Sequence, residues 1–421
     1  MQKRKSNFSQ VPKKETPQVL EIPSEIQGKK EYLARWAKEE HIPGKALAWF
    51  SVASAPEQAD FRLISETRGK HRMLMIEPPY KGMQPPPLVH AIYDQLRKDH
   101  LSTLKKALLQ MWIRSTGDGR FGIVMQLVLR SSDSARAFKT FLSYLERNHP
   151  EVLCCHLVQC RPFLPFDPSN PPAAMRMDLR IGFGSEFLPI ANTGFVYHIL
   201  DWTPRCKAAW IEFPQKLKSV IHPANDDRLL EVHAGSSYWG ASLSESFASV
   251  DTLDYRLPAK LSAKHNASNA SGFHFHSDKL SPEWITGFFS KKENDGKWTI
   301  LLNPPAGETL PHGVIAAIAK SCPERIVFIS SNLKNAVQEI KRFRRENYML
   351  RKYLPLDFEP GKPAFEAAFI FVPDRAGILG GKLALAPKTP KKAPKSKNLK
   401  TSPFETPHFI QQKSPSRTRK G

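Results

Sequence analysis

In the carboxy-terminal half, polar residues stand where apolar runs stop, and their types suit a ligand-binding edge. The run RLLEVHAG ends at Gly235. A glycine at such a turn lets backbone approach a ligand, and the helix that follows offers its amino terminus. The usual glycine-rich turn has two or more glycines close together. Here Ser236 and Ser237 follow instead, and an ordinary strand–helix turn accounts for Gly235 equally well. Asp254 closes the next apolar run, about twenty residues after the turn. A carboxylate at that spacing can accept two hydrogen bonds from ribose hydroxyls. A helix-cap acid is the plainer alternative, and the spacing favours the ligand. Asp278 ends a third run, where an acid can meet an adenine amino group. Asn303-Pro304-Pro305 ends a fourth. Its prolines make a stiff, extended rim that sets an amide and a backbone carbonyl at the edge, although Asn-Pro is also a common turn. Ser330-Ser331-Asn332 ends a fifth, with Ser331 or Asn332 suited to cap the next helix. Glu366 lies inside AFEAAFIFV. An acid in so apolar a run must face a cleft, a partner or the solvent end of its strand.

Such positions converge only if the runs are strands of one sheet. Strands are predicted at 228–235, 249–255, 273–278, 298–305 and 324–331. Helical stretches fall at 238–247, 257–270, 312–321 and 332–347, and strands at 348–357 and 365–374 close the region without a helix between them. Five strands, four of them followed by a helix, and two final strands imply a doubly wound α/β sheet, mostly parallel, with an antiparallel last strand. Its parallel strands carry apolar runs, as burial on both faces requires. Upstream the pattern is α+β. A helix is expected at 31–41, irregular chain at 55–86, and a long helix at 88–112 from the spacing of Leu101, Leu104, Leu108 and Trp112. A strand at 121–129, a helix at 132–150 and strands at 152–160, 177–185 and 195–200 follow. The resulting domains are a disordered basic tail (1–30), an α+β region that could face RNA (31–200), the α/β sheet domain (201–376) and a disordered Lys/Pro/Ser tail (386–421).

Composition bounds the partners. The chain has 421 residues and is 41% hydrophobic, enough for two domains and a sizeable core. Its 62 Lys and Arg against 40 acids give a net charge of +22, which favours a polyanion, most often nucleic acid. The charge is uneven: 386–421 holds ten Lys/Arg and one acid, Glu405. None of the five cysteines forms a CxxC pair or a metal-spaced set, so a reducing cytosol is the expected setting and no metal is expected. The first residues have no apolar run of the secretory type, and no stretch nears the roughly 20 apolar residues of a membrane span. A cytoplasmic monomer is the expectation.

Between about 195 and 374 the motifs resemble, in order, those of the RNA uracil-5 methyltransferase family. LLEVHAGSSYW is similar to its glycine-turn strand, and LDYRLPAKLSAKHNA to its ribose acid followed by a proline and a helix with Asn and Ala. Asn303-Pro304-Pro305-Ala306 resembles its Asp-Pro-Pro-Arg segment, Ser330-Ser331-Asn332 its Ser-Cys-Asn nucleophile, and Ala364-Phe365-Glu366 its terminal acid. The resemblance implies a class I fold, S-adenosylmethionine as cofactor, held by Gly235, Asp254, Asp278 and Asn303, and ribosomal or transfer RNA as substrate. It also implies a covalent route: a nucleophile at 331 adds to C6 of a uracil, C5 takes the methyl group from S-adenosylmethionine, the carboxylate at 366 removes the C5 proton, and the nucleophile is expelled from C6 to release the enzyme. The chain departs where that chemistry is most demanding. Ser331 replaces a thiol, and an alkoxide forms far less readily. Asn303, Ala306, Ser237 and Tyr197 replace the family's Asp, Arg, second Gly and Gln, and its iron–sulfur cysteines are not apparent. The sequence therefore resembles a degenerate member. Three readings follow: a uracil-5 RNA methyltransferase, a noncatalytic RNA-binding relative (a pseudoenzyme), or an amino-directed methyltransferase using Asn303-Pro304-Pro305.

Overall fold

The computed structural model describes residues 24–68, 71–80, 82–128, 131–161, 176–292, 296–305 and 308–374. Most of the 1–30 tail, all of the 386–421 tail, Ala306, and the side chains of Arg176 and Arg180 lie outside the described residues.

Helix α1 (Ile26–Glu39) begins within the stretch expected to be a tail, and two short strands follow, β1 (Lys45–Ala46) and β2 (Phe50–Ser51). Next comes a hairpin, β3 (Phe61–Arg68) and β4 (His71–Glu77), where irregular chain was expected. The first residues of β3 alternate: Phe61 and Leu63 are fully buried and Arg62 is not. That period of two marks a half-buried strand. The single helix expected over 88–112 is instead α2 (Pro87–Leu96), a turn, α3 (Ser102–Ala107) and the strand β5 (Leu108–Ser115). Leu101 and Leu104 are buried as helical spacing requires, but nearly all of β5 is buried too. An apolar run buried on both faces has no period to separate strand from helix.

The strands β6 (Phe121–Leu127), β7 (Val152–Arg161) and β8 (Arg176–Phe183) complete a six-stranded sheet of order β4-β3-β5-β6-β7-β8. Helix α4 (Ser132–Asn148) crosses over between β6 and β7, the parallel pair. One face of this sheet is sealed by α2, α3 and α4 through Phe61, Met111, Ile123, Phe138 and Phe141. The other face contributes Trp112, Val124, Cys154 and Val158 to a core shared with the second sheet.

A small hairpin, β9 (Phe187–Pro189) with β10 (Val196–His198), and α5 (Lys207–Ile221) lead into that second sheet. Its strands are β11 (Arg228–Val232), β12 (Ser249–Leu253), β13 (Phe273–His276), β14 (Trp298–Leu302), β15 (Arg325–Ser330), β16 (Tyr348–Asp357) and β17 (Glu366–Pro373). Its helices are α6 (Tyr238–Leu243), α7 (Leu257–Asn266), α8 (Pro282–Ser290), α9 (Val314–Lys320) and α10 (Leu333–Arg345). The order is β13-β12-β11-β14-β15-β17-β16, with β17 antiparallel to both neighbours and the pairs from β13 to β15 parallel. The order reverses between β11 and β14, so the ends of these two strands frame the crevice where open α/β sheets bind ligands. This is the class I methyltransferase sheet.

The sheet extends beyond β16. Strands β1 and β2 pair in parallel with β16, and α1 lays Leu33 and Trp36 on the sheet's apolar face. Residues 26–51 thus pack with the second sheet, away from the α+β region assigned to 31–200. Their anchor is buried: Lys29 Nζ donates to Asp357 Oδ1 at 2.8 Å, with both side chains at most 1% exposed. Removing one partner of a buried pair strands the other charge. Lys29→Met is expected to cost about 3–5 kcal/mol in urea unfolding. Lys29→Met with Asp357→Leu is expected to recover most of it. Equal stability of wild type and Lys29→Met would show that the pair anchors nothing.

Candidate active site

The carboxyl ends of β11, β12, β14 and β15 gather the residues singled out by type. At the first end the backbone is left-handed three times in five residues, at His233 (φ 58°), Gly235 (φ 55°) and Ser237 (φ 57°). Only Gly235 takes this conformation without strain. Ser237, in the place of the family's second glycine, keeps the backbone shape and ties its hydroxyl to Thr252 Oγ1 at 3.1 Å. Gly240 is required for another reason: a Cβ there would lie 2.7 Å from both Glu231 Oε2 and Thr252 Cγ2. The missing side chain lets α6 sit on β11 and β12, and the Gly240 N–H donates to Glu231 at 2.8 Å.

Asp254 follows β12 and is buried. Oδ2 accepts from the Gly235 N–H at 2.9 Å and from Arg256 Nη2 at 2.6 Å, and Oδ1 from Arg256 Nε at 2.9 Å and the Arg256 N–H at 3.0 Å. Burial pushes this carboxyl's pKa up, but the Arg256 bonds outweigh it and hold it below the usual range. Arg256 was not expected at the site, although an Arg two residues past the ribose acid is a visible signal. Burial, opposed by the charge of Arg256, pushes nearby Asp201 up to about 6; its Oδ2 accepts from Ser262 at 2.9 Å. Asn266, at the end of α7, donates to the carbonyls of Val196 and Ser236, stitching β10 to the glycine turn.

Asn303 follows β14, its N–H bonded to the Val232 carbonyl at 3.1 Å. It lines a narrow cleft with Gly235, Trp202, Trp210, Tyr238 and Trp239. The space left is about 10 Å³, room for roughly one water. Trp202 covers the turn, its carbonyl 3.7 Å and its ring 4.0 Å from where a Cβ on Gly235 would stand. Asp278 is not part of this lining. It lies past the end of β13, exposed, and accepts from Trp284 Nε1 at 3.2 Å. It stands there because β13 stops at His276, whose ring is held by Asp251 at 2.8 Å.

At the end of β15, Asn332 caps α10 by accepting from the Lys334 and Asn335 N–H groups. Ser330 closes a small loop with Asn332, and Ser331 is left exposed. Ser330 pairs with Ala367 of β17. The next residue on each strand is Ser331 on one side and Glu366 on the other, so the register brings both to the same sheet end. Burial pushes half-buried Glu366 up to about 7, helped by the charge of Glu359 and opposed by Lys362. Tyr197, in place of the family's Gln, is fully buried, edge-on to Trp210 of the cleft lining, and donates to the Ser115 carbonyl at 2.8 Å. Among the described residues no group of three or more His, Cys, Asp or Glu side chains is placed to hold a metal ion. No described helix is long and apolar enough to cross a membrane.

No protein-family model matches the chain. It is 28% identical over 139 residues to an uncharacterized RNA methyltransferase of Lactococcus lactis subsp. lactis, covering 32% of this chain and 29% of that protein. It is 25% identical over 150 residues to one of Lactobacillus johnsonii, covering 34% and 32%. The matched part thus spans about a third of these relatives. The structure resembles the Pyrococcus abyssi tRNA (uracil-54, C5)-methyltransferase, solved in complex with S-adenosyl-L-homocysteine, with a TM-score of 0.58 at 13% identity over 80% of this chain and 81% of that one. The fold is that of class I S-adenosylmethionine-dependent methyltransferases, and the curated relatives are named RNA methyltransferases.

Glu231 supplies a pH test of the site's packing. Burial pushes its carboxyl from 4.5 up to about 8, against the Gly240 N–H bond. The folded state therefore binds its proton more tightly, and the stability tied to that proton is lost as pH rises through this window. Wild type is expected to lose stability more steeply than Glu231→Gln between pH 4.5 and about 8, by up to about 1.4 kcal/mol per pH unit. Parallel unfolding curves across that range would contradict it.

Proposed function

We propose that this chain is an RNA methyltransferase-family protein of the uracil-5 type, with ribosomal or transfer RNA as its macromolecular ligand and S-adenosylmethionine as methyl donor. The observation that carries this reading is the β15–β17 register, which sets Ser331 and Glu366 at one sheet end. The family resemblance implies a nucleophile and a proton acceptor at these two positions. A carboxyl that titrates near 7 suits general-base work at neutral pH. The net charge of +22 supports RNA as the ligand, since phosphate neutralisation by Lys and Arg drives such binding. A bound adenosyl cofactor would supply the methyl group. Gly235, Asp254 and Asn303 would hold it, and Ser331 and Glu366 would act on the base.

A second reading, that the chain binds RNA without methylating it, is favoured by the saturated Asp254 carboxylate and the cleft of about 10 Å³. A serine hydroxyl also needs a base to become a nucleophile.

The test is transfer of labelled methyl from S-adenosylmethionine to bulk RNA, with mass spectrometry of the product base. The first reading expects C5-methyluracil, increased by Ser331→Cys and reduced about a hundredfold or more in Glu366→Gln. No incorporation by wild type or by Ser331→Cys overturns it. RNA binding that still weakens steeply with salt then leaves the second reading. An N-methyl base would instead assign the chemistry to Asn303-Pro304-Pro305.

A further inference from the structure

The Asp254 carboxylate has room for about four hydrogen bonds, two on each oxygen. All four are made inside the protein: one from the Gly235 N–H, one from the Arg256 N–H, and one each from Arg256 Nε and Nη2. No acceptor site is left for a ribose. The Asp254 side chain is 0% exposed, and the Arg256 guanidinium closes it from the outside at 18%. Arg256 Nη2 also stands 3.7 Å from the Cβ position of Gly235, over the backbone that a ligand would approach.

We propose that Arg256 is a built-in occupant of the ribose position, and that an adenosyl ligand binds only after the guanidinium has left. This rests on the reading of the cleft as a cofactor site. The backbone donors explain why the site stays competent. When the guanidinium leaves, Oδ2 keeps the Gly235 N–H and Oδ1 keeps the Arg256 N–H. Each oxygen then frees one acceptor site, and the two free sites face outward side by side. That pair matches the two vicinal hydroxyls of a ribose. The guanidinium already touches solvent, with the Arg256 side chain 18% exposed between exposed Tyr255 and Leu257 in the sequence. A side-chain rotation toward solvent would leave in place the backbone bonds that hold Asp254. In the closed state Asp254 and Asp201 both attract the guanidinium, which explains its retention.

The experiment is equilibrium dialysis of the full chain with labelled S-adenosylhomocysteine, using wild type, Arg256→Ala and Arg256→Gln. The Gln variant keeps bulk at the site if loss of the whole side chain unfolds the protein, and thermal melts check both. Both variants are expected to bind at least about tenfold tighter than wild type, since each hydrogen bond recovered by a charged acceptor is worth about a decade or more in affinity. Adding Asp254→Asn to Arg256→Ala is expected to abolish the gain, because an amide nitrogen replaces one acceptor. Folded Arg256 variants that bind no tighter than wild type overturn the proposal. So does a gain that survives Asp254→Asn. RNA binding by the wild-type chain, measured in parallel by gel shift, reports on the functional reading separately. Its loss would sink that reading and leave the dialysis comparison intact.

Discussion

A buried carboxylate must be neutralised where it lies, and Asp254 organises the carboxyl edge of the sheet around that need. Its bond to the Gly235 N–H ties the end of β12 to the turn after β11. Its bonds to Arg256 pin the start of α7. Asn266, at the far end of α7, reaches back to the carbonyl of Ser236 and to β10. The turn, the helix and the small hairpin are thereby held in one frame. The same neutralisation takes up the acceptors that a nucleotide would use. Structural closure and ligand binding compete for a single carboxylate.

A second polar junction holds the two sheets together. Asp60 accepts from Lys207 Nζ at 2.7 Å and from the Ser115 N–H at 2.8 Å, with Arg114 Nε 3.4 Å away. Arg114 donates to the carbonyls of Ile199 and Asp201 and to Thr203, and its guanidinium lies over the Tyr197 ring. Burial holds Lys207 down to about 8, against the pull of Asp60. These charges sit where β5 meets the segment leading into α5. Buried charges are tolerated only when paired and hydrogen-bonded; this group is paired throughout, with Arg114 Nε meeting Asp60 at ion-pair distance and without a hydrogen bond. Tyr197 belongs to the junction, so the absence of the family's Gln is bound up with packing between the sheets. Asp201, whose carbonyl Arg114 holds, also receives Ser262 from α7. The junction is therefore continuous with the candidate site.

The parallel sheet was legible because burial on both faces forces apolar runs, and each run stops where the chain leaves the sheet. The positions of Gly235, Asp254, Asn303, Ser331 and Glu366 at strand ends follow from that rule. The α+β region was read less well. Its strand β5 shows no period of two, since almost every residue in it is buried, and the hairpin β3–β4 hides its period among charged side chains. The docking of residues 26–51 on β16 includes the pairing of Lys29 with Asp357, residues 328 positions apart. No local pattern carries such a contact.

The sequence by itself determined the order of the strands from β11 to β17 and the residue type at each strand end, because hydrophobic periodicity and turn chemistry are local; helix α8 and the added strands β1 and β2 were not read from it. Only the tertiary structure decided what those residues face. It set Ser331 and Glu366 at the same sheet end through the antiparallel register of β17, left Asp278 outside the cleft, and closed Arg256 onto Asp254. Hydrogen-bond saturation of a carboxylate is a property of its neighbours in space, and those neighbours are brought there by the fold.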